Sequence, residues 1–249
     1  MLIKSFVYSL VVSLFLSLSV QADALDECID AAKSFEFIKA PQLCEPLAEQ
    51  GVAEAQFSLG YMYDYSLNYE LGVMWYKLAA EQGHPRALYN LAVMTRHGRG
   101  LPKNIKDAIK LYHLSAEQGY SKAQWVLGER YQYGRDVIVN YTEAVRLYRL
   151  SAKHGHIHGM YNLARMYREG KGVEEDKVYA YMWFNLADEA GHSSAGELRE
   201  ELSEKMTTKE LRIAQELSQK CLDSKYKECE SALPNFLHRM FNLSSEDED

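Results

Sequence analysis

The feature that most constrains this chain is a repeat. Gly51, Gly83, Gly119, Gly155 and Gly191 stand 32, 36, 36 and 36 residues apart. Each closes a similar phrase: Ala48-Glu49-Gln50-Gly51, Ala80-Glu81-Gln82-Gly83, Ala116-Glu117-Gln118-Gly119, Ala152-Lys153-His154-Gly155 and, more loosely, Asp188-Glu189-Ala190-Gly191. Eight residues after each of the first four glycines comes a leucine (Leu59, Leu91, Leu127, Leu163), followed by Gly or Ala. The four residues missing from the first interval therefore belong between Leu59 and Gly83, in a loop joining two helices.

Within each unit the apolar positions recur at three and four, the helical period. First helices carry Gly60, Ala92, Gly128 and Ala164 at one position, small enough to let a neighbouring helix approach. Second helices carry Gly72, Ala108, Ala144 and Ala180, then Tyr76, Tyr112, Tyr148 and Phe184, all at intervals of 36. The glycine after each second helix suits a left-handed position just past the helix end. A hairpin of this size cannot bury its apolar face alone, so units must stack into a continuous core. The expected fold is all-α, an α/α solenoid: a right-handed superhelix of about four to five helical hairpins with capping helices. The spacing places repeats at 52–83, 84–119, 120–155 and 156–191. A partial unit covers 23–51, where Cys44 takes the position of Tyr76; capping helices cover 192–243, and an acidic tail covers 244–249. Ser194–Lys205 reads as one capping helix, and Thr207-Thr208-Lys209-Glu210 as the capping box of another, running to about Leu222.

The first stretch reads as a leader to be removed. Lys4 precedes Phe6–Val20, an apolar run broken only by serines, and small residues at Val20-Gln21-Ala22 suit a signal peptidase. The run is too short to span a bilayer, so a signal peptide at 1–22 and no stable membrane anchor are expected. The chain is then periplasmic or secreted. In an oxidising compartment its four cysteines make two disulfides. Three pairings exist, and the spacings favour Cys28 with Cys44 and Cys221 with Cys229. No C-x-x-C spacing points to zinc, so no metal is expected.

These residues resemble the Sel1-like repeat family, short relatives of tetratricopeptide repeats. The shared pattern is A-x-A-x-x-x-L-G-x-x-Y, a G-x-G-V loop, then A-x-x-W-Y-x-x-A-A-E-Q-G. Gly170-Lys171-Gly172-Val173 and the stretch from Trp75 to Gly83 follow it closely. The resemblance covers about residues 40–192. Thr95 replaces the tyrosine, Asp136 replaces the second loop glycine, and the first repeat lacks most of its loop.

The chemistry of catalysis is missing. No H-E-x-x-H, G-x-S-x-G, S-x-x-K, phosphate loop or dinucleotide fingerprint occurs, so neither an enzyme nor a cofactor is expected. Gly98-Arg99-Gly100 sits in the repeat loop with no strand before it, which makes it a turn. His154, His156 and His158 form H-x-H-x-H, but His156 aligns with His84 and His192, so a histidine after the turn glycine is a habit of the repeat. With 28 basic and 35 acidic residues the net charge is −7, which argues against a nucleic-acid partner.

The resemblance implies that the first helices line a concave, ligand-facing surface. Two residues before each leucine stand Phe57, Tyr89, Trp125 and Tyr161; two after stand Tyr61, Val93, Glu129 and Arg165; five after stand Asp64, Arg96, Gln132 and Arg168. Aromatics and arginines dominate binding hot spots, although aromatics at this spacing also pack between repeats. Residues 86–103 hold four basic residues and no acidic one, and 122–135 and 158–171 are each net basic. An acidic protein partner would be steered to such a surface. Tyr89, Trp125 and Tyr161 are the expected anchors, and Arg96, Arg165 and Arg168 the expected carboxylate partners. The function this implies is an exported, non-enzymatic adaptor, regulator or inhibitor, one form being an immunity protein against a secreted toxin. The alternatives are a virulence factor binding host proteins, and a cell-wall-acting or β-lactam-binding enzyme like the cysteine-rich relatives. Those relatives carry a cysteine pair in each repeat, and this chain has none between Cys44 and Cys221.

Overall fold

A computed structural model describes residues 21–227 and Cys229. Most of the expected leader, the end of the C-terminal cap and the acidic tail lie outside the described residues. The described residues are helical throughout, with no strand. They fall into two compact units, Met1–Gln118 and Gly119–Asp249.

In the first unit, α1 covers 21–33 among the described residues, followed by α2 (Lys39–Glu49), α3 (Ala53–Tyr65), α4 (Tyr69–Glu81), α5 (Pro85–His97) and α6 (Ile105–Glu117). In the second come α7 (Ser121–Tyr133), α8 (Tyr141–Lys153), α9 (Ile157–Glu169), α10 (Lys177–Glu189), α11 (Ala195–Ser203) and α12 (Thr208–Asp223). Helices pair as antiparallel hairpins, α3 with α4, α5 with α6, α7 with α8 and α9 with α10, and α4 packs on α5 as α8 packs on α9. The hydrophobic columns read from the sequence form the interiors: Leu59, Tyr76, Leu127, Tyr148, Leu163 and Phe184 are all fully buried. The small residue beside each buried ring is required by contact. A Cβ on Gly60 would lie 2.5 Å from the Tyr76 ring, and one on Gly128 would lie 2.5 Å from the Tyr148 ring.

Loop length follows the repeat arithmetic. The first hairpin turns over Ser66–Asn68, whereas 98–104, 134–140 and 170–176 are longer loops; the missing residues are missing there. Gly98, Gly134 and Gly170 end their helices in the left-handed conformation. The second loop glycine has a separate task. Gly172 lies flat against the Tyr141 carbonyl at the start of α8, where a Cβ would strike the backbone. Asp136 keeps the left-handed backbone at φ 66°, and its carboxylate accepts a 2.6 Å hydrogen bond from buried Arg130.

Every second helix of the repeats starts on a side-chain cap from one column. Asn68, Asn104, Asn140 and Asp176 each accept from the backbone N–H three residues on, satisfying a donor that the first turn leaves open. At the ends, Cys28 pairs with Cys44, tying α1 to α2, and Cys221 pairs with Cys229. Within the expected partial unit at 23–51, α1 stops at 33, where Phe35 turns the chain at φ 55°, and α2 begins at Lys39. Ala22, the expected cleavage point, lies in α1. At the other end α11 and α12 close the second unit, and the Thr207–Glu210 capping box is present.

Candidate functional site

The candidate surface is the face of the first helices, built separately in each unit. In the first unit the Phe57 ring stacks on His84, centroids 4.9 Å apart, and the Arg86 guanidinium lies 4.2 Å above the same ring. His84 caps α5: its Nδ1 accepts the Ala87 N–H at 3.2 Å, so its proton sits on Nε2, which donates to Glu54 Oε2 at 2.8 Å. That hydrogen bond holds the Glu54 carboxyl below its ordinary range against the opposing effect of burial. Phe57 and Tyr89 are 4% and 9% exposed, and Tyr89 packs against Tyr112 at 5.6 Å. Arg96 is half-buried, with Nη1 3.4 Å from His97 Nε2.

The second unit repeats the arrangement with other residues. Trp125 stacks on His156 and His158 at 5.3 and 5.0 Å, and Tyr161 stacks on His192 at 4.0 Å with its edge toward Phe184. His156 caps α9, its Nδ1 accepting the Gly159 N–H at 3.3 Å. Burial, with His158 and Lys122 nearby, pulls its pKa down to about 4. The histidine habit of the repeat thus has a physical account: each ring stacks on an aromatic of the preceding repeat's first helix, and His84 and His156 also cap the helix they open. Among the described residues no three His, Cys, Asp or Glu side chains come together as a metal site.

Beyond the aromatics, cations gather. Arg165 donates to Glu169 at 3.2 Å and, more weakly, to Tyr133 Oη at 3.4 Å. Lys171 meets the same carboxylate at 2.8 Å and Arg168 at 3.9 Å, while Arg135 lies over the exposed Tyr133 ring at 5.1 Å. Burial alone would raise the Glu169 carboxyl; Lys171 and Arg165 outweigh it and hold it below the usual range. Glu129, at the position equivalent to Arg165, is instead pushed up by burial against the pull of Arg135 and His158. The expected residues Arg165 and Arg168 therefore come together around Glu169, and Trp125 and Tyr161 sit half-buried in imidazole stacks. Sequence reasoning passed over Arg86, Tyr133 and Arg135. Tyr133 ends α7 and Arg135 follows it, just past the outward columns, which was the available signal.

The family model described as Sel1 repeat matches residues 53–84, 85–120, 121–156 and 157–192. A Sel1 repeat protein of Oxalobacter formigenes is similar in structure, with 30% identity, a TM-score of 0.63, and coverage of 70% of this chain and 73% of that one. The protein c5321, a protective antigen of uropathogenic Escherichia coli displaying an SLR fold, shows 26% identity and a TM-score of 0.49, over 84% of this chain and 55% of its own. A putative Sel1 repeat protein of Klebsiella pneumoniae shows 21% identity and a TM-score of 0.48, over 74% and 96%. No curated protein matches the chain. Sel1 repeats generally mediate protein–protein interaction. Four matched repeats, covering the hairpins α3 to α10, lead to one conclusion: this chain belongs to the Sel1 repeat family.

Proposed function

We propose that this protein is an exported, non-enzymatic interaction module that binds an acidic segment of another protein on its first-helix faces, acting as an adaptor, regulator or inhibitor. An immunity protein against a secreted toxin is one form of that role. The observation that carries the reading is the cluster in the second unit, where Arg165, Arg168 and Lys171 share the single carboxylate of Glu169, with Arg135 on Tyr133. Within ion-pairing distance three cations meet one anion, in a chain of net charge −7, and this local excess of cations supports a carboxylate on the partner. Trp125 and Tyr161 supply rigid aromatic area on the same helices, and in the first unit Tyr89 supports the surface from which Arg96 reaches. Two disulfides, and no helix among the described residues long and apolar enough to cross a membrane, are compatible with export.

The test is capture of partners by the oxidised chain from its own envelope fraction across a salt series, repeated with Arg165→Glu combined with Arg168→Glu. The expected result is one stoichiometric partner whose capture falls at least about tenfold in the variant and with rising salt, while the melting temperature stays within a few degrees. Cooperative loss of folding in the variant, or capture indifferent to both charge and salt, would reject the reading. Turnover of a chromogenic β-lactam that a single Ser or His change abolished would move the protein to the enzyme class.

A further inference from the structure

The second unit also holds a cavity of about 300 Å³ that no first-helix residue lines. Among the described residues that line it are four basic side chains: Arg146, Arg149 and Lys153 from α8, and Lys227 from the turn after α12. Leu150, Trp183 and the ring of Tyr226 give it apolar walls, and Cys229 closes one side. Arg146 is held in a two-pronged contact with Glu143, 2.7 and 2.8 Å, and Arg149 donates to Tyr167 Oη at 2.7 Å, so both are fixed in place. Lys153 and Lys227 are exposed at the rim, and no carboxylate among the described residues forms an ion pair with either.

The wall contributed by the C-terminal turn is unusual in its backbone. Lys225 and Tyr226 stand in succession at φ 51° and 65°, a conformation that residues with a side chain rarely hold. Two hydrogen bonds back to α12 keep them there, Lys225 N–H to Leu222 O at 2.8 Å and Tyr226 N–H to Cys221 O at 2.9 Å, and the Cys221–Cys229 bridge closes the turn beyond them. The outcome is that the Tyr226 ring faces the Gly155 turn, where an added Cβ would be 3.5 Å from Cε2, and lines the cavity. Basic side chains at the rim of a concave site with apolar walls are the arrangement that holds a ligand with one charged and one apolar part.

We infer that this cavity binds a carboxylate carried on an apolar or aromatic body of about one amino-acid residue, with the acid group at Lys153, Lys227 and Arg149 and the body on Leu150, Trp183 and Tyr226. The chain-terminal residue of a peptide and a free N-acyl amino acid present this chemistry equally. A bare inorganic anion leaves the apolar walls unused, and a neutral aromatic leaves the cations unused.

The experiment is calorimetric titration of the full oxidised chain with five probes: N-acetyl-L-phenylalanine, its amide, inorganic phosphate, and a hexapeptide ending in phenylalanine as the free acid and as the amide. One-to-one binding of N-acetyl-L-phenylalanine is expected, with the amide and phosphate each weaker by about tenfold or more. Lys153→Glu combined with Lys227→Glu, both at exposed positions, should weaken the acid to a similar extent with an unchanged melting temperature. Tight binding of the free-acid hexapeptide places the ligand at a chain terminus; binding of the small acid alone places it among free metabolites. Phosphate binding as tight as the acid, equal binding of acid and amide, no binding at all, or indifference to the double charge reversal would each overturn the inference.

Discussion

Replacing Gly128 with alanine sets two effects of opposite sign against each other. Helix propensity favours alanine in the middle of α7 by about 1 kcal/mol. The added Cβ, however, would stand 2.5, 2.7 and 3.1 Å from Cε1, Cδ1 and Cζ of Tyr148. Carbon atoms pack best at roughly 3.5–4.0 Å, so ring or helix must move by about an ångström. Tyr148 has nowhere to go: it is fully buried, and its hydroxyl donates to Gln132 Oε1 at 2.6 Å. Overpacking of this kind costs about 1–3 kcal/mol, and weakening a buried hydrogen bond adds about 1 kcal/mol. The net expectation for Gly128→Ala is a loss of about 1–3 kcal/mol, read as a lower urea midpoint at unchanged slope, or as a fall of about 2–12 °C in melting temperature. A double-mutant cycle with Tyr148→Leu isolates the cause, because removing the ring removes the clash and lets the propensity gain appear. A stabilised Gly128→Ala protein, or a cycle with no coupling, would refute the contact argument.

His156 has its pKa drawn down to about 4 from an ordinary 6.5, so the folded chain binds that proton less readily than the unfolded one. Its contribution is therefore complete above about pH 6.5 and is lost as pH falls toward 4; with solvent screening the loss is about 1–2 kcal/mol. Urea titrations at several pH values should show this dependence reduced in His156→Asn, which keeps a capping side chain, and an unchanged pH profile would rule it out. Asn140 caps α8, and Asn140→Ala should cost about 1 kcal/mol while Asn140→Asp costs little, measured by thermal melts. Leu67 turns the short first loop at φ 64° with its side chain 69% exposed, so Leu67→Gly should raise stability by up to about 1 kcal/mol; a loss would mean the side chain is packed.

Much of the fold was legible because the repeat averages away local ambiguity. One apolar column is a weak signal, but Tyr76, Tyr112, Tyr148 and Phe184 at equal spacing identify a buried face of a helix, and all four are buried. The loop glycines were legible for the same reason, since only particular backbone conformations call for them at fixed offsets. The capping column Asn68, Asn104, Asn140 and Asp176 was equally periodic and went unread, because polar positions in a loop carry no burial signal until a helix start is placed beside them. Burial of Tyr89 could not be read from its own column, which also holds the half-buried Trp125 and Tyr161; exposure depends on what the next helix presents. The cation-ringed cavity was invisible in sequence for a third reason. Its walls come from α8, from Trp183 of α10 and from a turn more than seventy residues after α8, brought together by the packing of α12 on α10 and by a bridge outside the repeats.

The capping histidines alter how stability is shared along the chain. In repeat proteins the free energy is commonly divided into an intrinsic term for each repeat and a coupling term for each interface. His84 and His156 belong to both, because one ring nitrogen starts a helix and the ring face rests on the first helix of the preceding repeat. A single proton on the His156 ring consumes the lone pair that caps α9 and at the same time charges the face stacked on Trp125. Acid would therefore lower local folding and neighbour coupling together, narrowing the range over which a pair of repeats melts as one cooperative block.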